Sequence, residues 1–151
     1  MANAQSEDMA ITITFRESVG FIETLDELFG SGAGVILYHI GRGIGRAMTL
    51  EQGKAKVKNF EEGMNAFASS LAEKGWCEIE FSRVDPADGS AVFKVKRLPV
   101  PEAVQGNYEM LIRGMCSGFL EAIWEARVSV LRGKTRPDGF ELIASKGGGI
   151  E

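Results

Sequence analysis

The chain has 151 residues, of which 44% are hydrophobic and 25% charged, and a formal net charge of −4. A chain this long buries roughly 70% of the surface its unfolded form exposes, so a hydrophobic core alone can hold it, and neither a fibrous repeat nor disorder is suggested. The charge lacks the strongly basic footprint of a general nucleic-acid binder, and the longest apolar run, Val35 to Tyr38, is far short of the roughly 20 residues that span a bilayer.

Residues 1–8 are polar and read as a disordered tail; they carry no basic or apolar signal segment, which gives a cytoplasmic expectation. Met9, Ile11, Ile13 and Phe15 alternate with Ala10, Thr12 and Thr14, which predicts a strand with one buried face. Val19, Ile22, Leu25 and Phe29 then recur at helical spacing, with Gly30 as the stop. The segment Ser31 to Met48 is apolar on most sides and predicts a buried helix near the centre of the fold. Thr49 with Gln52 has the form of a capping box, opening a helix with Val57, Phe60, Met64, Phe67 and Leu71 on one stripe up to Gly75.

From Trp76 the period changes to two. Cys77, Ile79 and Phe81 face one way, Glu78 and Glu80 the other; after a loop at Asp85–Gly89, Ala91, Phe93 and Val95 alternate with Lys94 and Lys96. This is a hairpin with carboxylates facing lysines on its wet side. Leu98 to Gly106, with Pro99 and Pro101, predicts an extended connection. Asn107 is placed to cap a helix running to about Glu125, with Tyr108, Leu111, Ile112, Met115, Phe119 and Ile123 inside. A second hairpin joins Val128 and Val130 to Phe140, Leu142 and Ala144 through a loop at Gly133–Gly139, and residues 147–151 read as a flexible tail. No internal linker is evident, so residues 9–146 are expected to form a single domain. The fold class is α+β, with helices packed on an antiparallel sheet made of hairpins.

Gly30-Ser-Gly-Ala-Gly34 and Gly41-Arg-Gly-Ile-Gly45 resemble phosphate cradles only in part, because Val35 and Arg46 stand where a third glycine belongs. Gly41 and Gly45, with Gly114 and Gly118, instead read as notches four residues apart where the second and fourth helices, or copies of them across a dimer, approach closely. His39 is the only histidine, so any His-dependent chemistry must run through it; packing beside Tyr38 is the simpler reading. Adjacent acids such as Asp26–Glu27 diverge by roughly 100° on a helix and serve as solvated surface. Arg132, Lys134 and Arg136 are expected in a solvated hairpin tip. Cys77 and Cys116 are too sparse for a disulfide framework or a zinc site, so no metal, cofactor or catalytic residue is assigned.

The succession Gly34-Val-Ile-Leu-Tyr-His-Ile-Gly41-Arg-Gly-Ile-Gly45, Gly75-Trp-Cys-Glu-Ile-Glu, and Leu111-Ile-Arg-Gly-Met-Cys-Ser-Gly-Phe-Leu-Glu121 resembles the 4-vinyl reductase, or hydrocarbon-binding, domain family over roughly residues 30 to 145. That family is similar in fold to vesicle-tethering transport-particle subunits and haem nitric-oxide sensor domains. The resemblance implies helices on an antiparallel sheet, dimerisation, and a buried cavity for a small apolar ligand in a sensory domain. Many members carry metal-binding cysteines in the last hairpin, but here no cysteine follows Cys116, so a zinc role is not carried over.

The expected function is therefore non-enzymatic binding of a small apolar molecule by a sensor or carrier domain. Tyr38, His39, Met115 and Phe119 are the expected lining of a cavity between the central helices and the sheet. A homodimer and a regulatory protein partner are expected, with no nucleic acid and no membrane span. Two alternatives stand beside this: a dimeric protein-interaction scaffold similar to the tethering subunits, and a haem-binding sensor or enzyme using His39.

Overall fold

The computed structural model describes residues 13–52, 60–85, 87–96, 98 and 100–147. Helix α1 spans Phe15–Phe29, followed by a 3-10 turn at Gly30–Gly32; α2 spans Ala33–Gln52 and α3 Phe60–Glu73. Strands β1 (Ile79–Asp85) and β2 (Ser90–Lys96) precede α4 (Glu102–Trp124), and β3 (Val128–Arg136) and β4 (Gly139–Lys146) complete the order. The four strands form one antiparallel sheet in the order β1-β2-β4-β3, with helices on one face, which is an α+β fold.

The expected strand at Met9–Phe15 falls mainly outside the described residues, and its described end is not a strand. Thr14 caps α1: its hydroxyl accepts from the Glu17 N–H at 3.1 Å while the Glu17 carboxylate accepts from the Thr14 N–H at 2.9 Å. This reciprocal pair starts a helix at Phe15, where the alternation predicts the end of a strand. Thr49 is likewise no cap, because it lies inside α2 and donates its hydroxyl back to the Gly45 carbonyl. The third helix keeps its predicted stripe of Met64, Phe67 and Leu71, while Val57 lies outside the described residues. Gly75, at φ +79°, ends that helix, with Trp76 N–H donating to the Leu71 carbonyl. Asn107 is interior to α4, which starts five residues earlier at Glu102 because Val104 already occupies the buried stripe.

The first hairpin has the predicted register: Ile79 opposes Val95, Phe81 opposes Phe93, and Glu80 opposes Lys94. The second has a shorter turn than expected, since Arg136 opposes Gly139 and only Pro137 and Asp138 lie between. Charged residues are tolerated there because β3 is an edge strand, where they discourage further pairing. Arg132, Lys134 and Arg136 all lie in β3 rather than in a loop; Arg132 lies 4.7 Å from the Phe140 ring centroid and bonds Glu109, and Arg136 bonds Glu141.

The tightest contact is between α2 and α4. A Cβ placed on Gly41 or Gly45 would lie 2.2 Å from the Leu111 carbonyl oxygen or 2.0 Å from that of Met115. On Gly114 and Gly118 it would lie 2.0 Å from the carbonyls of Tyr38 and Arg42. The four predicted notches therefore interlock reciprocally within one chain, backbone on backbone.

The other side of α4 meets the open edge of β3 through residues four apart. Ser117 donates to the Val128 carbonyl at 2.7 Å, Arg113 to the Val130 carbonyl at 3.0 Å, and Glu121 accepts from the Val128 N–H at 3.2 Å. One turn earlier, Glu109 bonds Arg132. These side chains satisfy edge groups that another strand would otherwise take. Glu121 also receives Arg42 and Arg46 from α2, at 2.9 and 3.1 Å. Burial pushes its carboxyl up, but the bonds from Arg42, the Val128 N–H and Arg46 together with the Arg42 charge outweigh that and hold it below the usual range.

Two measurements check these contacts. Gly45→Ala and Gly118→Ala should each lower the unfolding free energy by about 3 kcal/mol or more, because backbone cannot yield as a side-chain tip can. Gly43→Ala, where an added Cβ meets nothing within 4 Å, should be neutral or stabilising by up to about 1 kcal/mol in the same urea titration. For Glu121, whose folded value lies below the ordinary 4.5, the stability advantage of wild type over Glu121→Gln should be full above that ordinary value. It should shrink as pH falls through the lower folded value; an advantage unchanged by acid would contradict the pairing.

Candidate functional site

The glycine contact draws the backbones of α2 and α4 together, so larger side chains beside it are displaced to the flank facing β3. There a groove of about 300 Å³ opens. Helix α2 supplies Val35, Tyr38, His39 and Arg42, spaced at one helical face; α4 supplies Met110, Arg113 and Glu121. The wall opposite is Arg127, Val128 and Leu131 at the start of β3. Val35 and Leu131, 57% and 56% exposed, form apolar lips. Three other hollows, of about 440, 550 and 330 Å³, are lined largely by charged and small side chains.

Tyr38 is 5% exposed, and its hydroxyl is buried with no hydrogen-bond partner among the described residues. A buried hydroxyl left unpaired costs about 1–3 kcal/mol, so it needs a reason to persist. The His39 ring meets the Tyr38 ring edge-on, with centroids 5.9 Å apart, and its Nδ1 accepts from an Arg42 N–H at 3.2 Å.

The four residues expected at a ligand site are split by the fold. Tyr38 and His39 line the groove. Met115 and Phe119 are fully buried, Phe119 stacking on Phe67 with centroids 4.2 Å apart. The expected cavity between central helices and sheet is occupied by side chains at that place: Phe67, Phe93, Met115, Phe119, Leu120 and Leu142 are all 1% exposed or less. Sequence reasoning missed the polar part of the groove. Its signal from α4 was available in Arg113 and Glu121, which belong to a polar series at four-residue spacing, Glu109, Arg113, Ser117 and Glu121, through the most apolar part of that helix.

Neither cysteine is disposed to react. Burial, helped by the Glu78 charge, pushes the Cys77 thiol up to about 12, and burial with the Cys77 charge pushes Cys116 well up as well. Among the described residues no three His, Cys, Asp or Glu side chains gather as a metal site, and no helix is long and apolar enough to cross a membrane.

No protein-family model matches the sequence, and no curated protein sequence matches it. Solved structures do share its fold. The phenol-responsive sensory domain of the transcription activator PoxR, determined with phenol, superposes with a TM-score of 0.71 at 11% identity, over 91% of this chain and 76% of that one. A trafficking protein particle complex subunit 3 from Naegleria fowleri, covalently bound to palmitic acid, superposes with a TM-score of 0.59 at 14% identity, over 84% of this chain and 89% of that one. The chain thus has the fold shared by a sensory domain and a trafficking-complex subunit.

Proposed function

We propose that this chain is a small-molecule-binding domain, a sensor or carrier rather than an enzyme, and that its ligand occupies the groove between α2, α4 and β3. The observation that carries this reading is the groove itself, with Val35, Tyr38, Met110, Val128 and Leu131 as its apolar lining and, on Tyr38, a buried hydroxyl that has no partner among the described residues. Apolar ligand surface removed from water there is worth roughly 25 cal/mol per Å², and one oriented polar group supplies selectivity. The phenol-bound and palmitate-bound structures of like fold support the same class of role. On this reading the chain belongs with the 4-vinyl reductase, or hydrocarbon-binding, domains. Covalent acyl carriage is disfavoured by the buried, protonated thiols.

A second reading, a homodimeric scaffold that docks a regulatory protein, has its own support. Phe21, Leu28 and Phe29 are 50%, 69% and 53% exposed and share a helical stripe of α1 with half-buried Leu25. A contiguous apolar stripe of this kind marks an interaction surface.

The first reading is tested with 2-naphthol as probe. Tyr38→Phe should raise the stability of the free protein by about 1 kcal/mol, since it deletes an unpaired polar atom. It should also weaken 2-naphthol by about tenfold in calorimetry while leaving naphthalene unaffected. Naphthol that shifts no amide resonances of α2, α4 or β3 would refute the groove as the site. For the second reading, light scattering should find a dimer that Leu28→Glu converts to monomer without loss of helicity; a wild-type monomer at high concentration would refute it.

A further inference from the structure

The whole chain is acidic, yet the groove is not. Three guanidinium groups line it, Arg42, Arg113 and Arg127, against the single carboxylate of Glu121. The ion pairs around it are also oversubscribed. Glu121 serves both Arg42 and Arg46, and Glu109 serves both Arg132, at 3.0 Å, and Arg113, at 4.0 Å. Each carboxylate thus faces two guanidiniums, and Arg127 has no side-chain partner among the described residues. Local positive charge is left over in a chain whose formal charge is −4. Such an excess beside apolar side chains attracts anions, and the exposed Arg127 side chain is open to them.

The charge lies against apolar surface. Tyr38, Met110, Val128 and Leu131 line the same groove as Arg127. A free inorganic anion would gain nothing from them, and a plain hydrocarbon would gain nothing from the guanidinium. Repulsion from Glu121 is muted, since Arg42 donates twice and Arg46 once to one of its oxygens and the Val128 N–H occupies the other.

We infer that the groove selects an apolar molecule bearing one carboxylate, with Arg127 as the carboxylate-binding residue and the Tyr38 side of the groove holding the apolar body. A planar guanidinium fork matches a planar carboxylate, and one unpaired fork suits one such group. The groove volume of about 300 Å³ is at the small end of ligand sites, which confines the ligand to about the size of one or two fused rings or a short chain. This rests on the groove reading above and narrows it from apolar ligands in general to small apolar acids.

Three probes of one shape separate the two claims: 2-naphthoate, 2-naphthamide and 2-naphthol, titrated by calorimetry with amide shifts locating the site. Naphthoate should bind the wild type at least about tenfold more tightly than naphthamide at low salt, with the ratio falling as ionic strength rises toward about 0.3 M. Arg127→Gln should bring the ratio close to one by weakening naphthoate alone, while Arg83→Gln, a change of equal charge on β1, should leave it intact. Equal affinity for naphthoate and naphthamide at the groove would overturn the anionic selectivity and leave the groove reading standing. A ratio lost equally in both variants would assign the preference to overall charge and overturn the role of Arg127. Absence of all three probes from the groove would overturn the groove reading and this inference together.

Discussion

The close approach of α2 and α4 governs where everything else sits. With glycine at positions 41, 45, 114 and 118, the carbonyls of each helix lie against the backbone of the other, so no side chain separates the axes there. Glycine inside a helix costs about 1 kcal/mol against alanine, and four of them are sustained only by a contact that no larger residue permits. Reciprocity makes the contact specific: moving α4 by one residue would put Arg113 or Met115, rather than the notch of Gly114, against the α2 backbone.

That constraint gives α4 three unlike surroundings. Its glycine face belongs to α2, its aliphatic face to the sheet core through Leu111, Ile112, Met115, Phe119 and Leu120, and its Glu109–Glu121 stripe to the free edge of β3. A helix almost wholly enclosed needs hydrogen-bonding side chains only where a neighbour offers unsatisfied backbone, and that is where Arg113, Ser117 and Glu121 stand. Glu121 joins the layers, because one carboxylate holds the β3 N–H and two arginines of α2. The start of that edge, at Val128 and Val130, is closed by the helix beside it.

Much of the fold was legible in the sequence. The period-two runs at Ile79–Phe81, Ala91–Val95 and Phe140–Ala144 set both hairpins and their inward faces, and the glycine spacing located the helix contact before any coordinates. What failed was punctuation. Thr49 and Asn107 have the chemistry of caps but lie within helices, because the buried stripes continue through Met48 on one side and begin at Val104 on the other. Thr14 is a true cap that the preceding alternation concealed. Of the expected lining, Tyr38 and His39 reached a groove because they sit one turn from the notches toward β3, whereas Met115 and Phe119 point into the packed interior. Hydrophobicity alone could not tell these apart, since lining and core share the same residue types.

The position of the groove follows from the same geometry. Two helices in backbone contact cannot also touch along their flanks, so the wedge between them must be filled by a third element. Strand β3 fills it only as far as the side chains Arg113, Ser117 and Glu121 allow, because those groups hold the strand at hydrogen-bonding distance from α4 rather than against α2. The remaining space is bounded by Val35 and Tyr38 on one side and Val128 and Leu131 on the other. An occupant would therefore touch both the helix pair and the strand edge. Its binding energy would bear directly on how firmly β3 is held to α4.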